Sequence, residues 1–207
     1  MISLPRLYAI ADSGFGDPVE IAQKLFDAGV RLIQLRNKTA SSRVLLEQTS
    51  QIVSIAPEGC QVIVNDRADV AVLGGAHGVH LGQDDLPPDA ARMVVPDSTL
   101  IGVSTHSLEQ ALIASKERVD YIAVGPIFET STKENTSPVV GLKGLSEICK
   151  MVDCRVVAIG GIEFSNAAAV LGAGATSVAV ISDLIGQGDI GARTSEFLKK
   201  LDEFGNV

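Results

Sequence analysis

Short runs of apolar, mostly β-branched residues alternate with longer amphipathic stretches along the whole chain. Eight runs are apolar at nearly every position, which is typical of parallel strands buried on both faces. The predicted strands are residues 7–11, 32–35, 62–64, 78–81, 100–103, 121–124, 156–159 and 177–181. Helices are predicted after them at residues 18–28, 45–55, 69–73, 88–95, 108–116, 142–151, 166–173 and 190–204, and the third of these allows only a turn or two.

This repeat of strand and helix predicts the fold. Eight such units within 207 residues are the pattern of a (β/α)8 TIM barrel, an α/β fold. A doubly wound open sheet is the main competitor, but such sheets usually have about five or six strands. No shift in composition marks a linker, so we expect residues 1–207 to form a single barrel domain that carries the catalytic site.

The charge balance limits the partners. Acidic residues outnumber basic ones by 25 to 17, and the formal net charge is −8. Non-specific nucleic-acid binding needs a basic surface, so we expect no nucleic-acid partner. An anionic small molecule would have to be met by a local cluster of positive groups. The sequence leaves open whether the chain forms a homo-oligomer.

The cysteines and the apolar stretches indicate the compartment. Cys60, Cys149 and Cys154 include no CxxC pair, and we interpret them as apolar packing in a reducing cytosol. The N-terminal residues lack a basic region followed by a long apolar run, so no signal peptide is predicted. The most apolar stretch, residues 167–182, is interrupted by glycines and falls short of the roughly 20 residues that a spanning helix needs. We therefore expect a cytoplasmic protein without a membrane partner.

Polar side chains are concentrated directly after the predicted strands, where barrels of this type hold their active sites. Arg36 and Lys38 are two positions apart, so on an extended backbone they would point the same way. Residues 125–141 follow the sixth strand without any periodicity, and loops this long are usually functional. Lys133 in this loop, together with Arg36 and Lys38, would surround a polyanion.

A metal site and a second anion site are predicted at the same rim. Asp66 and Asp85 follow neighbouring strands and would hold one Mg²⁺, which typically takes one or two carboxylates with waters and substrate phosphates. Gly160–Gly161 and Ile181–Ser182 follow the seventh and eighth strands, where barrels commonly bind a phosphate. The residues thus predict a metal-assisted diphosphate on one side and a single phosphate on the other.

The charged residues also have a purely structural interpretation. Arg36 and Lys38 would equally be solvated rim charges. Asp66, which precedes Arg67, would form a salt bridge with it or cap a helix.

The two histidines near the rim have alternatives of their own. His80 stands inside an apolar strand and is interpreted as a hydrogen-bonded core residue and not as a ligand. His106 would be a catalytic base, but a cap or surface role is at least as compatible with its position.

Seven segments stand in order along nearly the whole chain with a specific combination of motifs. They are QLRNK (34–38), VNDRADVA (64–71), GVHLGQDDLP (78–87), IGVSTHS (101–107), DYIAVGPIFETSTK (120–133), VVAIGGI (156–162) and SVAVIS (177–182). Together they resemble the thiamin phosphate synthase (thiamin-phosphate pyrophosphorylase) family. Singly GVHLG or AIGGI would be weak signals, but NDR, GQDD and GPIFxTxTK in combination are specific.

The resemblance implies a (β/α)8 barrel and one reaction. 4-Amino-2-methyl-5-hydroxymethylpyrimidine diphosphate would be condensed with 4-methyl-5-hydroxyethylthiazole phosphate, giving thiamin phosphate and pyrophosphate. The resemblance implies that the pyrimidine diphosphate is bound by Gln34, Arg36, Lys38, Asn65, Ser104 and Lys133, of which Arg36, Lys38, Ser104 and Lys133 would be catalytic. It implies that Mg²⁺ is held by Asp66 and Asp85. It implies that the thiazole phosphate is bound by Thr130, Ser131, Thr132, Gly161, Ile181 and Ser182.

Two other functions remain in competition at this point. One is a thiazole tautomerase of the same fold, which would need no metal, and the other is a non-catalytic phosphate-ligand binder that regulates thiamin metabolism. The chain departs from the family pattern at Asn37, at Glu129–Ser131 and at Asp183, and these departures put the details of the loops in doubt.

Overall fold

A closed barrel is the frame of the molecule. The computed structural model describes residues 4–130, 137–186 and 188–204. Within these ranges eight parallel strands pair in chain order, and the pairing of β8 with β1 closes the barrel. The strands are β1 Leu7–Asp12, β2 Leu32–Arg36, β3 Gln61–Asn65, β4 Gly78–Leu81, β5 Leu100–Thr105, β6 Tyr121–Val124, β7 Arg155–Ile159 and β8 Ser177–Val180. The predicted (β/α)8 barrel is confirmed.

The helices form a layer around the strands. In the described ranges they are α1 Pro18–Asp27, α2 Ser42–Ile55, α3 Ala68–Leu73, α4 Pro88–Arg92, α5 Leu108–Ala114, α6 Gly141–Met151, α7 Ala167–Gly172, α8 Ser182–Ile185 and α9 Ile190–Glu203. None of the helices in the part of the chain that the structure describes is long and apolar enough to cross a membrane.

The strands are apolar on both faces because one face packs against the helices and the other packs inside the barrel. Leu7 and Ala9 of β1 pack outward against the helices. Tyr8 and Ile10, the residues that alternate with them, point into the barrel and pack against side chains from other strands. Each strand therefore contributes to both cores, so apolar and polar residues do not alternate along it in the sequence.

Side-chain caps start several helices close to the strand ends. Asp17 accepts hydrogen bonds from the backbone at the start of α1, Ser41 does so for α2, and Ser107 does so for α5. Such caps satisfy backbone N–H groups that have no partner inside the helix. The connections from strand to helix at this end are consequently short, and they hold the residues that follow each strand near the barrel axis.

The helix boundaries differ from the predicted ones where apolar periodicity is absent. The helix α2 begins at Ser42 and not at residue 45, because its first turn is exposed and carries no apolar face. The helix α4 ends at Arg92, before residue 95. The pattern did not indicate α8 at all, since four residues are too few to show a helical period.

The cysteines behave as predicted. Cys60 is buried, Cys149 and Cys154 are half-buried, and all three thiols are free. Burial raises the pKa of the Cys149 thiol to about 11. These thiols are packing residues and are not activated for chemistry.

Candidate active site

The rim formed by the carboxyl ends of the strands has two chemically different halves. All strands point the same way, so the residues that follow them meet at one end of the barrel. The side of β1–β4 carries charged side chains, which we call the charged half: Asp12, Arg36, Lys38, Asp66 and Asp85. The side of β5–β8 carries hydroxyls and glycines around a cleft.

The two basic residues of the charged half are each paired with a carboxylate. Arg36 Nη1 donates to Asp12 Oδ2 on the neighbouring strand β1. Lys38 Nζ lies 3.2 Å from Asp66 Oδ2, beyond the end of β3. The strand β2 ends at Arg36, and the backbone at Lys38 is bent. The carboxylate partners of the two side chains follow different neighbours of β2, Asp12 on β1 and Asp66 after β3.

The two aspartates predicted to hold a metal lie together. Asp66 has a positive φ of 65°, an uncommon backbone conformation for a residue other than glycine. Its backbone N–H donates to the His80 carbonyl at 2.8 Å, which ties it to the end of β4. Asp85 Oδ2 accepts from the Gly82 N–H at 2.7 Å. Asp66 is therefore anchored through its own backbone, and Asp85 through its carboxylate.

The acid–base state of Asp85 reflects this proximity. Burial raises the pKa of the Asp85 carboxyl, and the neighbouring Asp66 carboxyl raises it further. The hydrogen bond from Gly82 and the charge of Lys38 act in the opposite direction. The carboxyl groups of Asp66 and Asp85 lie with the Lys38 ammonium, and a divalent cation there would offset the excess negative charge.

The structural interpretation of Asp66 with Arg67 is wrong. The Arg67 guanidinium instead donates to both carboxylate oxygens of Asp69, at 2.6 and 2.9 Å, and to the Ser42 hydroxyl at 3.0 Å. The side chain of Asp66 instead contacts Lys38 and Asp85. Asn65 ends β3 beside it and pairs in the sheet with His80 of β4.

A chain of hydrogen bonds crosses the barrel interior beneath the rim. Gln34 Nε2 donates to the Tyr8 hydroxyl at 2.8 Å, and that hydroxyl lies 3.0 Å from the Tyr121 hydroxyl. The Tyr121 hydroxyl lies 3.1 Å from His80 Nδ1, and His80 Nε2 lies 2.9 Å from the Ser104 hydroxyl. The prediction of His80 as a hydrogen-bonded core residue is confirmed. The chain links Gln34 on β2 with Ser104 on β5.

The pattern along the sequence did not indicate the two tyrosines of this chain. Both stand inside apolar strands, and burial raises the pKa of both phenols, which keeps them neutral. One signal was present in Gly102 of β5. A Cβ atom there would lie 2.0 Å from the Tyr121 ring, so only glycine leaves room for it. A lone glycine in a strand marks such a close approach.

The cleft occupies the other half of the rim. It contains about 690 Å³ of empty space, including the part that opens to solvent. It is lined by Ser104, Thr105, His106, Ala123, Gly125, Pro126, Thr130, Ser137, Ile159, Gly160, Gly161, Ile162, Ala179, Ile181 and Ser182. The predicted residues Thr130, Gly161, Ile181 and Ser182 therefore share one cleft with Ser104. Ser131, Thr132 and Lys133 lie outside the described residues.

One wall of the cleft is built from two loops in tight contact. The Ile127 N–H donates to the Ile159 carbonyl at 2.9 Å, and the Phe128 N–H donates to the Gly160 carbonyl at 3.0 Å. Gly161 has a φ of +64°, and a Cβ there would lie 2.5 Å from the Glu129 carbonyl oxygen. Glycine is needed for both the conformation and the close approach.

His106 is a fixed part of the cleft wall. Its Nδ1 lies 2.5 Å from the Gly125 carbonyl, which only accepts, so Nδ1 carries a proton. Its backbone N–H donates to Gln110 Oε1 at 2.7 Å. These contacts fit the structural role that the sequence allowed for this histidine.

A cation at this rim would depend on few protein ligands. Among the described residues, no group of three or more His, Cys, Asp and Glu side chains is arranged to hold a metal ion. The pair of Asp66 and Asp85 supplies two carboxylates. This matches the habit of Mg²⁺, which keeps several waters and takes the remaining oxygens from a phosphorylated ligand.

Comparisons with known proteins identify the family of the chain. The family described as thiamine monophosphate synthase matches residues 7–184. The thiamine-phosphate synthase of Koribacter versatilis (strain Ellin345) is 46% identical over 207 residues, covering 97% of this chain and 97% of that protein. The thiamine-phosphate synthase of Shouchella clausii (strain KSM-K16) is 41% identical over 203 residues, with 96% and 97% covered. A solved structure of thiamine phosphate pyrophosphorylase from Pyrococcus furiosus superposes with a TM-score of 0.89 at 37% identity, covering 97% of this chain and 96% of that one.

Proposed function

This chain belongs to the thiamine monophosphate synthase family, and we propose that it makes thiamin phosphate by a Mg²⁺-assisted departure of diphosphate. The chain is a transferase that condenses a pyrimidine with a thiazole. The donor is 4-amino-2-methyl-5-hydroxymethylpyrimidine diphosphate, and the acceptor is 4-methyl-5-hydroxyethylthiazole phosphate. The two halves of the rim match the two substrates.

The charged half binds the diphosphate in this proposal. Arg36 and Lys38 are held on either side of β2 by carboxylates, and Lys133 completes the set from the loop after β6. Asp66 and Asp85 would hold the Mg²⁺. Burial is the main cause of the raised pKa of Asp85, and the Asp66 carboxyl raises it further, a repulsion that a divalent cation would offset.

The interior hydrogen-bond chain orients the pyrimidine. Gln34 and Ser104 are its two ends, and both offer groups that pair with ring nitrogens or with an amino group. Asn65 stands between them at the end of β3. A fixed chain of this kind holds the ring in one orientation, because turning the ring would leave buried polar atoms unpaired.

The cleft takes the thiazole phosphate. Gly161, Ile181 and Ser182 lie after β7 and β8, the region in which barrels commonly bind a single phosphate. Thr130 faces the same cleft. Ser131 and Thr132, which follow it in the sequence, are assigned to the same phosphate. Ser104 lines the cleft and is also one end of the interior hydrogen-bond chain, so the two substrates meet beside it.

The reaction requires charge stabilisation and positioning. The bond between the methylene carbon and the diphosphate oxygen breaks, and the electron-rich aminopyrimidine supports the cation that forms. The thiazole nitrogen, which carries a lone pair at neutral pH, then forms the new carbon–nitrogen bond without a base. Arg36, Lys38 and Lys133 oppose the charge that develops on the leaving group. When bound, Mg²⁺ supplies Lewis-acid stabilisation of the same oxygens.

The observation that carries this proposal is the division of one rim into a charged half and a neutral cleft that share Ser104. The test is to mix both substrates with the purified protein, with and without Mg²⁺, and to look for thiamin phosphate. We expect product only with both substrates and the metal. Conversion of a thiazole alone without metal would instead support a tautomerase, and binding without any turnover would support a regulator.

The setting of the enzyme is part of the same proposal. Free, packed thiols fit a reducing compartment, so the cytoplasm is the proposed location. Its proposed partners are small phosphorylated molecules, with neither nucleic acid nor a membrane among them. The single catalytic domain over residues 1–207 and the formation of a homo-oligomer stay predictions.

A further inference from the structure

Asp183 brings a negative charge close to the cleft. It directly follows Ser182, which lines the cleft, at the start of α8. A carboxylate at this position would repel a phosphate, and it is one of the positions where the chain departs from the pattern that it resembles. Some group must therefore offset the charge if an anion binds here.

Arg193 of α9 supplies that group. Its Nη2 donates to both Asp183 carboxylate oxygens, at 2.8 and 2.9 Å, and its Nε lies 3.3 Å from the Asp183 carbonyl. The two side chains are 30% and 21% exposed, so water screens the pair only in part. A single guanidinium nitrogen thus contacts both carboxylate oxygens, while Nε binds the backbone of the same residue. Hydrogen bonds between two ionised groups are stronger than those between neutral groups.

The same carboxylate also holds the second loop of the cleft. The Phe164 N–H donates to Asp183 Oδ2 at 2.6 Å, and Phe164 follows Gly161 by three residues. One side chain thus ties the loop after β7 to the start of α8.

The Arg193 side chain packs against two aromatic rings, one in the loop after β7 and one on α9. The guanidinium carbon lies 4.9 Å from the Phe164 ring centre and 5.5 Å from that of the buried Phe197. Lys200 Nζ lies 4.2 Å from the Phe164 ring centre and donates to the Phe164 carbonyl at 2.5 Å. Contacts between a cation and an aromatic face are attractive and directional.

We propose that Asp183 and Arg193 are positioning residues for the thiazole phosphate. Asp183 aligns the two loops that bind the phosphate. Arg193, which also donates to the exposed Glu196 at 3.0 Å, offsets the charge of Asp183. This inference rests on the proposed function. It predicts that an Asp183 left without its partner is worse for binding than the loss of both residues, because an unpaired carboxylate repels the phosphate.

The test is a double-mutant cycle of Arg193→Met, Asp183→Asn and both together, with KM measured for each substrate. We expect Arg193→Met to raise the KM for the thiazole phosphate roughly tenfold, the effect of a like charge near the protein surface. The KM for the pyrimidine diphosphate should stay within about twofold. Asp183→Asn added to Arg193→Met should recover a large part of the loss.

The exposed pair of Arg118 and Asp97 provides a matched control, because Arg118→Met breaks a similar ion pair elsewhere on the surface. Calorimetric titration of thiazole phosphate into each variant separates binding from turnover. A lower melting temperature with unchanged KM values, or an equal rise of both KM values, overturns the inference while the proposed function stands. If the unaltered protein neither binds thiazole phosphate nor makes thiamin phosphate, the proposed function fails, and the inference fails with it.

Discussion

Arg36 and Lys38 each lie beside a carboxylate, and this pairing sets how they present their charge. A long basic side chain free in water samples many rotamers, and ordering it on binding costs entropy. Asp12 is almost fully buried and also accepts from the Gly14 N–H at 2.8 Å, so it is a rigid anchor for Arg36. The guanidinium is thus placed before any diphosphate arrives.

Replacing this anchor should weaken catalysis without breaking the fold. In Asp12→Asn the amide oxygen can still accept from Gly14, but the charge that holds Arg36 is lost. We expect kcat/KM for the pyrimidine diphosphate to fall about tenfold, as is typical when a reacting group is no longer aligned. Asp17→Asn is the matched control, since Asp17 also caps a helical turn but lies away from the site. An equal loss in both variants would contradict the role of Asp12.

The ionised Asp85 carboxyl should lower the free energy of unfolding when no metal is bound. Folding raises its pKa, so the ionised form is disfavoured in the folded state and the cost is present above the folded pKa. In EDTA at pH 7.5 we expect Asp85→Asn to melt about 2 °C higher than the unaltered protein. The gain should shrink as the pH falls below the folded pKa, and it should vanish below the ordinary value of about 4, where the carboxyl becomes protonated in both states.

Thermal melts across this pH range check the prediction. Asp84→Asn, at the neighbouring exposed position, is the control for removing one negative charge from the same turn. A gain of equal size in both variants would mean that net charge, and not the burial of Asp85 beside Asp66, is the cause.

At the scale of elements, the cleft depends on how closely the loop after β6 lies on the loop after β7. The backbone hydrogen bonds of Ile127 and Phe128 to these neighbours are possible only because Gly160 and Gly161 lack side chains. The positive φ of both glycines turns the chain after β7 across the cleft. The two loops therefore lie this close together because Gly160 and Gly161 have no Cβ atom.

Gly161→Ala should separate the two loops. The new Cβ would lie 2.5 Å from the Glu129 carbonyl oxygen and 2.7 Å from Phe128 Cβ, and neither can yield without moving backbone. We expect the KM for the thiazole phosphate to rise by about tenfold or more, because a shift of about 1 Å is costly at a reacting centre. The measurement is steady-state kinetics with each substrate varied in turn.

Gly59→Ala separates backbone strain from contact. Gly59 also has a positive φ, of 79°, but a Cβ there would meet nothing within 4 Å. Both variants should lose roughly 1 kcal/mol from the backbone conformation. Gly161→Ala should lose more because of the clash, and only this variant should lose activity. Normal activity in both would show that the contact between the loops does not shape the cleft.

At the scale of the whole molecule, the barrel brings together residues that are far apart in the chain. Asp66 and Asp85 meet because β3 and β4 are neighbours, and Lys38 joins them from β2. Ligands that bind only this assembled rim stabilise the folded state by mass action. Melting temperature therefore reports the assembled site even without turnover.

Mg²⁺ and pyrophosphate together should raise the melting temperature more than the sum of their separate effects. At ligand concentrations about 100 times the dissociation constant the gain is about 2.7 kcal/mol, which corresponds to roughly 5–10 °C for a chain of this size. Asp85→Ala should lose the joint effect and keep the fold. Sodium sulfate at the same ionic strength is the control, and an equal gain with sulfate would argue against a shared site.

Much of the fold could be predicted from the order of apolar runs. The strands were placed within one or two residues because each is buried on both faces, so its apolar character is continuous. The start of α2 was misplaced because its exposed first turn has no apolar face. The end of α4 was placed too late because the apolar residues 93–95 lie beyond the helix. Burial leaves a mark in the sequence, whereas a solvated helix end leaves little.

The sequence by itself determined the barrel, the family and the residue types at the end of each strand, because these follow from local patterns read along the chain. Only the tertiary structure decided which of those residues touch. It paired Arg36 with Asp12, Lys38 with Asp66, and Asp183 with Arg193. It also joined Tyr8 to Tyr121, which lie 113 residues apart. The reason is that contact partners across a barrel depend on strand register and on the bends after each strand, and neither is written in any short segment.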